Sequence, residues 1–230
     1  MGRMEEKVKI YIRTYPRSGT HLLSTLIHYR YGFSQMTPTF VKPIEHGKEN
    51  LEMYTAHYAE DEGWGINGRI YVLRNPADCI SSQYYRRFKP EVGKMDKEKF
   101  DTNEIPFSHD HSPGFIPSVW NEVGAYNEML QSIQPYDLVL YFEDLIHNPE
   151  KVIKLLDSYF LIRFGINVIE EPKSLEEIKE ISYGYYNKEH RSLNILGEHD
   201  KKNYQYVKDT IKPYIEKFID KENKYLLYYA

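Results

Sequence analysis

Residues 8–32 read VKIYIRTYPRSGTHLLSTLIHYRYG, and this stretch decides the fold. Apolar residues alternate from Val8 to Thr14, which predicts a strand. The apolar-rich run from His21 to Tyr29, closed by Gly32, predicts a helix. Between the two, Ser18-Gly19-Thr20 predicts a tight loop. A strand that passes through a tight loop directly into a helix is the opening of a parallel α/β unit.

The same order of strand, turn and helix returns later in the chain. Residues 69–73 predict a short strand, Asn75-Pro76 a turn, and residues 77–88 a helix. A third crossing follows, with a strand at 137–142 and a helix that Asn148 caps. Repeated crossings of this kind predict an α/β fold with a central, mainly parallel sheet flanked by helices.

The other segments are predicted to be helical or irregular. Helices are expected at 117–133, at 203–219, and after Ser174, which begins the capping box SLEE. Residues 89–114 are rich in charge, Pro, His and Asp without a clear period, which predicts a long surface insertion. Because no internal repeat, linker or low-complexity tract divides residues 1–230, the sequence predicts one domain.

Composition excludes several classes of function. With a formal net charge of -4 over 230 residues, nucleic acid and anionic membranes are not expected as main partners. Cys79 is the only cysteine, which excludes an intramolecular disulfide and a cysteine-based metal cluster. No apolar run approaches the length of a membrane span, and residues 1–7 are charged and do not resemble a signal peptide. We therefore expect a soluble, cytoplasmic protein.

The stretch TYPRSGT at residues 14–20 has the features of an anion-binding loop. The start of a helix presents unpaired backbone N–H groups and the positive end of the helix dipole. The loop is not a Walker A motif, because the first glycine and the Gly-Lys-Ser/Thr ending are both missing. A Ser-Gly-Thr turn also serves as an ordinary helix cap, so the loop alone leaves both interpretations open.

Two segments together resemble the sulfotransferases that depend on 3′-phosphoadenosine 5′-phosphosulfate (PAPS). YPRSGT at 15–20 looks like the 5′-phosphosulfate loop of this family. YVLRNPAD at 71–78, with Ser82 eight positions after Arg74, resembles the segment that contacts the 3′-phosphate. The likeness extends over residues 8–156 and implies the P-loop-like sulfotransferase fold, with PAPS as sulfonate donor and 3′,5′-ADP as product.

The resemblance also implies roles for individual residues. Arg17 stands where cytosolic members carry Lys, and would stabilise charge on the leaving phosphate. LYFEDL at 140–145 resembles a strand near the adenine, which Phe142 would stack against, and Arg191 loosely matches a cofactor contact near the C-terminus. The cofactor-binding residues implied in this way are Arg17, Ser18, Gly19, Thr20, His21, Arg74, Ser82, Phe142 and Arg191.

An acceptor hydroxyl must lose a proton as it attacks, and histidine is the usual base near neutral pH. His57 lies 17 residues before Arg74, where the catalytic histidine segment of the family would fall. The resemblance therefore makes His57 the candidate base beside Arg17, although an ordinary surface histidine stays open. A glutamate serves as base in the tyrosylprotein branch, so three alternatives also stay open, namely Glu45, Glu49 and Glu52.

Several other features leave alternatives to weigh. His109-Asp110-His111 has too few ligands for a metal site, and we predict no metal requirement. Glu143 and Asp144 are interpreted as structural carboxylates in hydrogen bonds or ion pairs. A P-loop nucleotide kinase and a non-catalytic 3′-phosphoadenosine-binding protein remain alternative functions. The acceptor, a small molecule or a peptidyl group, and the oligomeric state stay open, since acceptor pockets of this kind are built by variable loops.

Overall fold

The fold is taken from a computed structural model of the chain. It describes residues 7–36, 48, 50–57, 65–88, 96–98, 119–190 and 198–229, with the side chains of 86–88, 183–190 and 198–200 left out. The predicted insertion at 89–114 therefore lies outside the described residues except for 96–98.

A five-stranded sheet lies at the centre of the architecture, and every neighbouring pair of its strands is parallel. The strand order is β2-β3-β1-β4-β5. The prediction of an α/β fold around a mainly parallel sheet is confirmed. The strands are β1 (Val8–Thr14), β2 (Ser34–Gln35), β3 (Leu51–Ala56), β4 (Gly68–Leu73) and β5 (Leu138–Tyr141).

Helices connect and follow the strands. Their bounds are α1 (Thr20–Tyr31), α2 (Pro76–Phe88), α3 (Val119–Gln131), α4 (Phe142–His147), α5 (Pro149–Phe164), α6 (Leu175–His190), α7 (Glu198–Phe218) and a 3-10 helix (Lys224–Tyr229).

The chain forms two compact units. Residues 1–73 with 134–191 form the first, which contains the sheet together with α1, α4, α5 and α6. Residues 74–133 with 192–230 form the second, which contains α2, α3 and α7. The prediction of one domain over residues 1–230 stays a prediction.

The core of the first unit explains the central place of β1. Ile10 and Ile12 are fully buried, as are Ile70 and Val72 on the neighbouring strand β4. Central strands of a parallel sheet are buried on both faces, so they favour a continuous apolar run, which Ile10-Tyr11-Ile12 supplies within the alternating segment. Burying this run fixes the end of β1 and therefore the place where the loop at 15–19 begins.

In the second unit, α2 packs against α7 through polar as well as apolar contacts. Tyr204 donates its hydroxyl to the Asp78 carbonyl at 3.3 Å, and Lys208 forms an ion pair with the Asp78 carboxylate. The rings of Tyr85 and Tyr204 meet edge to face with centroids 5.9 Å apart. These contacts tie the first turns of α2, which carry Ser82, to a long helix from the end of the chain.

Three local predictions can be compared directly with the structure. The capping box is confirmed, because the Ser174 N–H donates to Glu177 at 2.8 Å and the Glu177 N–H donates to the Ser174 hydroxyl at 3.3 Å. The predicted strand at 137–142 is too long, since Phe142 already begins α4. Asn148 does precede α5, but its side chain donates to Asp144 at 3.3 Å and does not cap the helix.

A polar brace joins α1 to α5 at the end of α1. Arg30 donates to both carboxylate oxygens of Asp157, at 2.9 and 2.8 Å, and the buried Tyr31 hydroxyl donates to the same carboxylate at 2.7 Å. Burial alone would raise the pKa of Asp157, but the hydrogen bonds from Arg30 and Tyr31 hold it below its usual range. The ionised carboxylate is therefore the form that stabilises the brace.

We expect Asp157→Asn to lower the free energy of unfolding at neutral pH by about 1–3 kcal/mol, because Arg30 and Tyr31 lose a charged acceptor. A carboxyl group whose pKa is lowered in the folded state contributes stability above its unfolded pKa of about 3.9, and this stability is lost as the pH falls through the folded-state pKa. The variant should therefore lose less stability than the wild type upon acidification, as measured by urea denaturation between neutral pH and about pH 2. Glu170→Gln, at an exposed carboxylate, is the control. Parallel pH profiles for Asp157→Asn and the wild type would contradict this account.

Candidate active site

The loop between β1 and α1 is a tight turn that leads directly into the helix. The Ser18 N–H donates to the Tyr15 carbonyl at 3.2 Å, and the Leu23 N–H donates to the Gly19 carbonyl at 3.1 Å. Gly19 precedes α1 with a φ of 87°, in the left-handed region that glycine adopts readily. The strand, loop and helix predicted from residues 8–32 are therefore present.

Arg17 has a φ of 72°, the one positive value at a non-glycine among the described residues. An L-residue in the left-handed region costs roughly 1–2 kcal/mol, and such conformations cluster at functional sites. The neighbouring Ser18 is fully buried, and its Oγ has no hydrogen-bond partner among the described residues. This loop thus contains a positively charged residue with a strained backbone, followed directly by a residue whose buried hydroxyl has no hydrogen-bond partner among the described residues.

The start of α1 suits an anionic ligand. The first N–H groups of a helix have no intrahelical partner, and the helix dipole makes this end positive. The first turn of the fully described helix α1 contains no acidic residue that would compete for these groups. Gly19, Thr20 and His21 supply the backbone donors here, and Arg17 adds a positive charge. This set of donors fits a phosphate or phosphosulfate group.

His57 lies beside this loop because of the register between two strands. β3 runs parallel to β1, with Ala56 paired to Arg13, so the residue after β3 reaches the level of Thr14. The His57 Nδ1 atom is 3.0 Å from the Thr14 hydroxyl and 3.1 Å from the Thr14 carbonyl oxygen. The Thr14 hydroxyl is in turn 2.6 Å from that of Thr20, the first residue of α1. The structure therefore brings the candidate base to the loop.

The contact with the Thr14 carbonyl identifies which ring nitrogen carries the proton. A carbonyl oxygen only accepts hydrogen bonds, so Nδ1 of His57 must be the donor. In the neutral ring the lone pair then lies on Nε2. An imidazole held by its Nδ1–H in this way can accept a proton on Nε2, which is the arrangement a general base requires.

Glu52, one of the alternative bases, lies at the other edge of the sheet. It pairs with Lys9 in the register of β1 and β3, five residues before His57, or about 16 Å along the strand. Lys7 donates to its carboxylate at 2.6 Å and Tyr54 at 2.8 Å. The hydrogen bond from Lys7 is the main cause that lowers the pKa of Glu52, which opposes a role as base. Glu45 and Glu49 lie outside the described residues.

Phe142 begins α4 and packs against the loop. A Cβ atom added to Gly19 would lie 2.6 Å from Cδ2 of Phe142 and 2.9 Å from Cε2. The half-buried ring also packs on the hydrophobic core of the first unit. Phe142 therefore packs on the core, as one interpretation of the sequence predicted, although from the start of a helix and not from a strand, and its stacking on adenine stays a prediction.

Arg74 and Ser82 belong to the second compact unit. Tyr126 donates its hydroxyl to the Arg74 carbonyl at 2.6 Å, and the Asn75 side chain accepts from the Ala77 N–H at 3.0 Å, which caps α2. Ser82 is 8% exposed, whereas the adjacent Ser81 is fully buried. Both serines are therefore buried, and the one at the spacing predicted from the sequence retains slightly more exposure. Arg191 lies outside the described residues.

The sequence missed one residue near the site and gave the correct role for another. Thr14 was not singled out, although it is fully buried and links His57 to Thr20. Its position as the last residue of β1, directly before YPRSGT, was the available signal. The structural interpretation of Asp144 is confirmed, since Lys151 donates to its carboxylate at 2.7 Å.

The described part of the chain lacks two features, a cluster of metal ligands and a membrane-spanning helix. No group of three or more His, Cys, Asp or Glu residues there is arranged to hold a metal ion, and His109-Asp110-His111 lies outside it. None of the helices in that part has the length and apolar character needed to cross a membrane.

Comparison with known proteins identifies one family. The model of the family described as "Sulfotransferase domain" matches residues 69–224. Among solved structures, the mouse sulfotransferase SULT7A1 complexed with PAP is 16% identical, with a TM-score of 0.44 and coverage of 94% of this chain and 91% of that one. Retinol dehydratase in complex with androsterone and inactive cofactor PAP is 12% identical, with a TM-score of 0.42 and coverage of 94% and 80%. No curated protein sequence matches significantly.

We expect Gly19→Ala to destabilise the protein more than Gly165→Ala does. Both glycines have a positive φ, 87° and 67°, so each substitution costs roughly 1–2 kcal/mol of backbone strain. At Gly165 nothing lies within 4 Å of the new Cβ, whereas at Gly19 the Phe142 ring must move, which adds about 1–3 kcal/mol. The free energies of unfolding from urea denaturation measure the difference. Equal destabilisation would show that the Phe142 ring does not limit the loop.

Proposed function

The chain belongs to the sulfotransferase domain family, whose members are PAPS-dependent transferases, and we propose that it transfers the sulfonate of PAPS to a hydroxyl or amine of a small molecule or peptide. The observation that carries the proposal is the contact of His57 Nδ1 with Thr14, because it supports a base held next to a loop suited to an anion. Family membership removes the nucleotide kinase that the sequence had left open.

The loop residues fit the anionic end of the donor. When bound, PAPS supplies an activated sulfonate attached to a 5′-phosphate, which departs as part of 3′,5′-ADP. The backbone N–H groups of Gly19, Thr20 and His21 would hold the 5′-phosphate, together with the Thr20 hydroxyl. The unsatisfied Oγ of Ser18 offers a further donor in the same loop. Arg17 would balance the charge that develops on the leaving phosphate, which is the main requirement of such a loose, in-line transfer.

His57 would act on the acceptor. The ring is held through Nδ1, so Nε2 is the atom that would take the proton lost by the acceptor hydroxyl. Arg74 and Ser82 would bind the 3′-phosphate, an assignment that rests on the match of YVLRNPAD at 71–78 to the family. Stacking of adenine on Phe142 and a cofactor contact from Arg191 rest on the resemblance alone. The acceptor class is left to experiment.

Incubation of the purified protein with PAPS and a panel of phenols, alcohols, amines and tyrosyl peptides tests the function. We expect sulfated product with at least one class of acceptor, at the same rate with and without EDTA. Binding of 3′,5′-ADP without transfer to any acceptor would favour the alternative of a non-catalytic binding protein. A loss of transfer in EDTA that magnesium restores would contradict the predicted metal independence.

His57→Ala and Arg17→Ala should each abolish most transfer for different reasons. Loss of a general base costs about 10²–10⁴-fold in turnover, and His57→Ala should keep the affinity for 3′,5′-ADP. Loss of the charge at Arg17 should lower turnover by about 10²–10³-fold. Turnover and the dissociation constant of 3′,5′-ADP are the two measurements.

The matched controls are His147→Ala and Arg163→Ala, which remove an exposed histidine and an exposed arginine from the same unit. Both should keep wild-type turnover. Near-normal turnover in His57→Ala would reject the assignment of the base while leaving the family function intact.

Arg74→Ala should remove the preference for a 3′-phosphate. In the wild type we expect 3′,5′-ADP to raise the melting temperature more than 5′-AMP does, because only the first ligand carries the 3′-phosphate. A charged hydrogen bond to phosphate contributes about 1.5–3 kcal/mol, which corresponds to roughly a 10-fold to 100-fold difference in affinity. The two ligands should stabilise Arg74→Ala to a similar extent. An unchanged preference in the variant would place 3′-phosphate recognition elsewhere.

A further inference from the structure

Three side chains form a continuous hydrogen-bonded link between the start of α1 and the ring of His57. The Thr20 and Thr14 hydroxyls are 2.6 Å apart, and the Thr14 hydroxyl is 3.0 Å from His57 Nδ1. Thr14 is fully buried in the middle of this link. A buried hydroxyl between two candidate site residues is therefore shielded from competition with bulk water.

The donors and acceptors of this link can be ordered from one fixed point. Because the Thr14 carbonyl accepts from His57, Nδ1 carries the hydrogen, and the Thr14 hydroxyl at 3.0 Å can only accept from that same N–H. The hydrogen of the Thr14 hydroxyl is then available to Thr20. Thr20 is left with its own hydroxyl hydrogen to donate away from the link, toward the loop at the start of α1.

An anion at the loop would select this order of donors. Phosphate oxygens only accept, so a phosphate that receives a hydrogen bond from the Thr20 hydroxyl leaves the Thr20 oxygen to accept from Thr14. Without such an anion, the Thr20 hydroxyl can instead donate to the Thr14 oxygen. The hydrogen of the Thr14 hydroxyl then needs a different acceptor, and the hydrogen bonds of the link no longer run in one direction. Hydrogen bonds arranged in one direction also polarise and strengthen one another.

We propose that Thr14 is a positioning residue, whose hydroxyl couples the binding of an anion at Thr20 to the strength of the hydrogen bonding that orients the His57 ring. The inference rests on the proposed function, since it assumes that the 5′-phosphate of the donor lies at this loop. The carbonyl of Thr14 holds the ring whether or not the loop is filled. The hydroxyl adds a second acceptor, and the hydrogen bond to it is strongest when the anion is bound, because the bonds of the link then all run in one direction.

Thr14→Val tests the hydroxyl alone. Valine keeps the β-branched shape inside the sheet and leaves the carbonyl in place, but it breaks the link to Thr20. Thr14→Ser keeps the hydroxyl and serves as the conservative variant. Thr25→Val is the matched control, because it removes a buried hydroxyl from α1 that donates to the His21 carbonyl at 2.7 Å and has no part in the link.

Nitrogen-15 NMR of histidine-labelled protein, with 3′,5′-ADP as the ligand, provides a measurement independent of turnover. The His57 ring signals are assigned by their loss in His57→Ala. In the wild type and in Thr25→Val, saturating 3′,5′-ADP should shift the signals of Nδ1 and of its attached hydrogen in the direction of a stronger Nδ1–H hydrogen bond. Thr14→Val should lose most of this shift although it binds 3′,5′-ADP with an affinity within about threefold of wild type, and Thr14→Ser should regain it.

The turnover of the same variants should follow the spectra. Loss of one neutral hydrogen bond in the link should lower kcat of Thr14→Val by about 2-fold to 10-fold, with little change in KM for PAPS. A purely structural role for Thr14 would lower stability without changing the ligand-dependent shift. If Thr14→Val does not fold, Thr20→Val breaks the link from its other end and is compared at saturating 3′,5′-ADP.

Each outcome separates this inference from the proposed function. An Nδ1 shift of equal size in the wild type and in the folded valine variant would overturn the coupling while leaving the function intact. A wild-type protein that does not bind 3′,5′-ADP would overturn the assignment of the cofactor, and the coupling with it. A shift that is lost in Thr25→Val as well would assign the response to α1 as a whole and would also overturn the role of Thr14.

Discussion

The parallel register of β1 with β3 is the constraint on which the candidate site depends. Six consecutive pairs, from Val8 with Leu51 to Arg13 with Ala56, bring the ends of the two strands to the same edge of the sheet. A shift of the register by one residue would reverse the faces on which the side chains lie and would bury the wrong set of residues. The buried side chains of Ile10, Ile12 and Met53 therefore fix the position of His57 relative to Thr14.

The same apolar core supports an unfavourable backbone in the loop. Arg17 adopts a left-handed conformation, and Gly19 lies so close to Phe142 that a larger residue would not fit without movement. Each feature costs stability, and such a cost persists only where the surroundings determine the conformation strongly. The packing of α1 and α4 on the sheet supplies that support, since Leu22, Leu23 and Leu145 belong to one buried cluster. The conformation of the loop is thus a product of the core.

The sequence predicted the features whose patterns lie within a few consecutive residues, and missed those that depend on contacts between distant residues. β1, α1 and the capping box at Ser174 were predictable because strand alternation, helical periodicity and capping act over a few residues. β3 was missed although LEMYTA at 51–56 has β-branched and aromatic residues, because Glu52 interrupts the apolar run and its charge is compensated by Lys7 and Lys9, which are distant in sequence. His57 was found through resemblance to a family, whereas its contact with Thr14 depends on strand pairing over 43 residues.

Two side chains differ from their predicted roles because each has a contact in the fold that the local sequence pattern does not reveal. Asn148 stands where a helix cap is expected, but its amide donates to the Asp144 carboxylate, which also receives a hydrogen bond from Lys151. The start of a helix offers N–H donors to the amide oxygen of a capping Asn, whereas the buried Asp144 carboxylate binds the amide nitrogen and so orients the group away from the helix. Phe142 likewise ends β5 early and packs on Gly19. The deciding partner is four residues away in the first case and lies in the distant loop at Gly19 in the second.

The two halves of the proposed chemistry place different demands on the protein. A phosphate carries its charge permanently, so the loop needs only a fixed cation and backbone N–H groups, which Arg17 and the start of α1 supply regardless of pH. A base must have its lone pair on the correct nitrogen, and this depends on what the other nitrogen contacts. The Thr14 carbonyl meets that second demand from within the sheet, since it belongs to the last residue of β1. The strand that leads into the loop therefore also orients the proposed base, which ties both demands to the burial of β1.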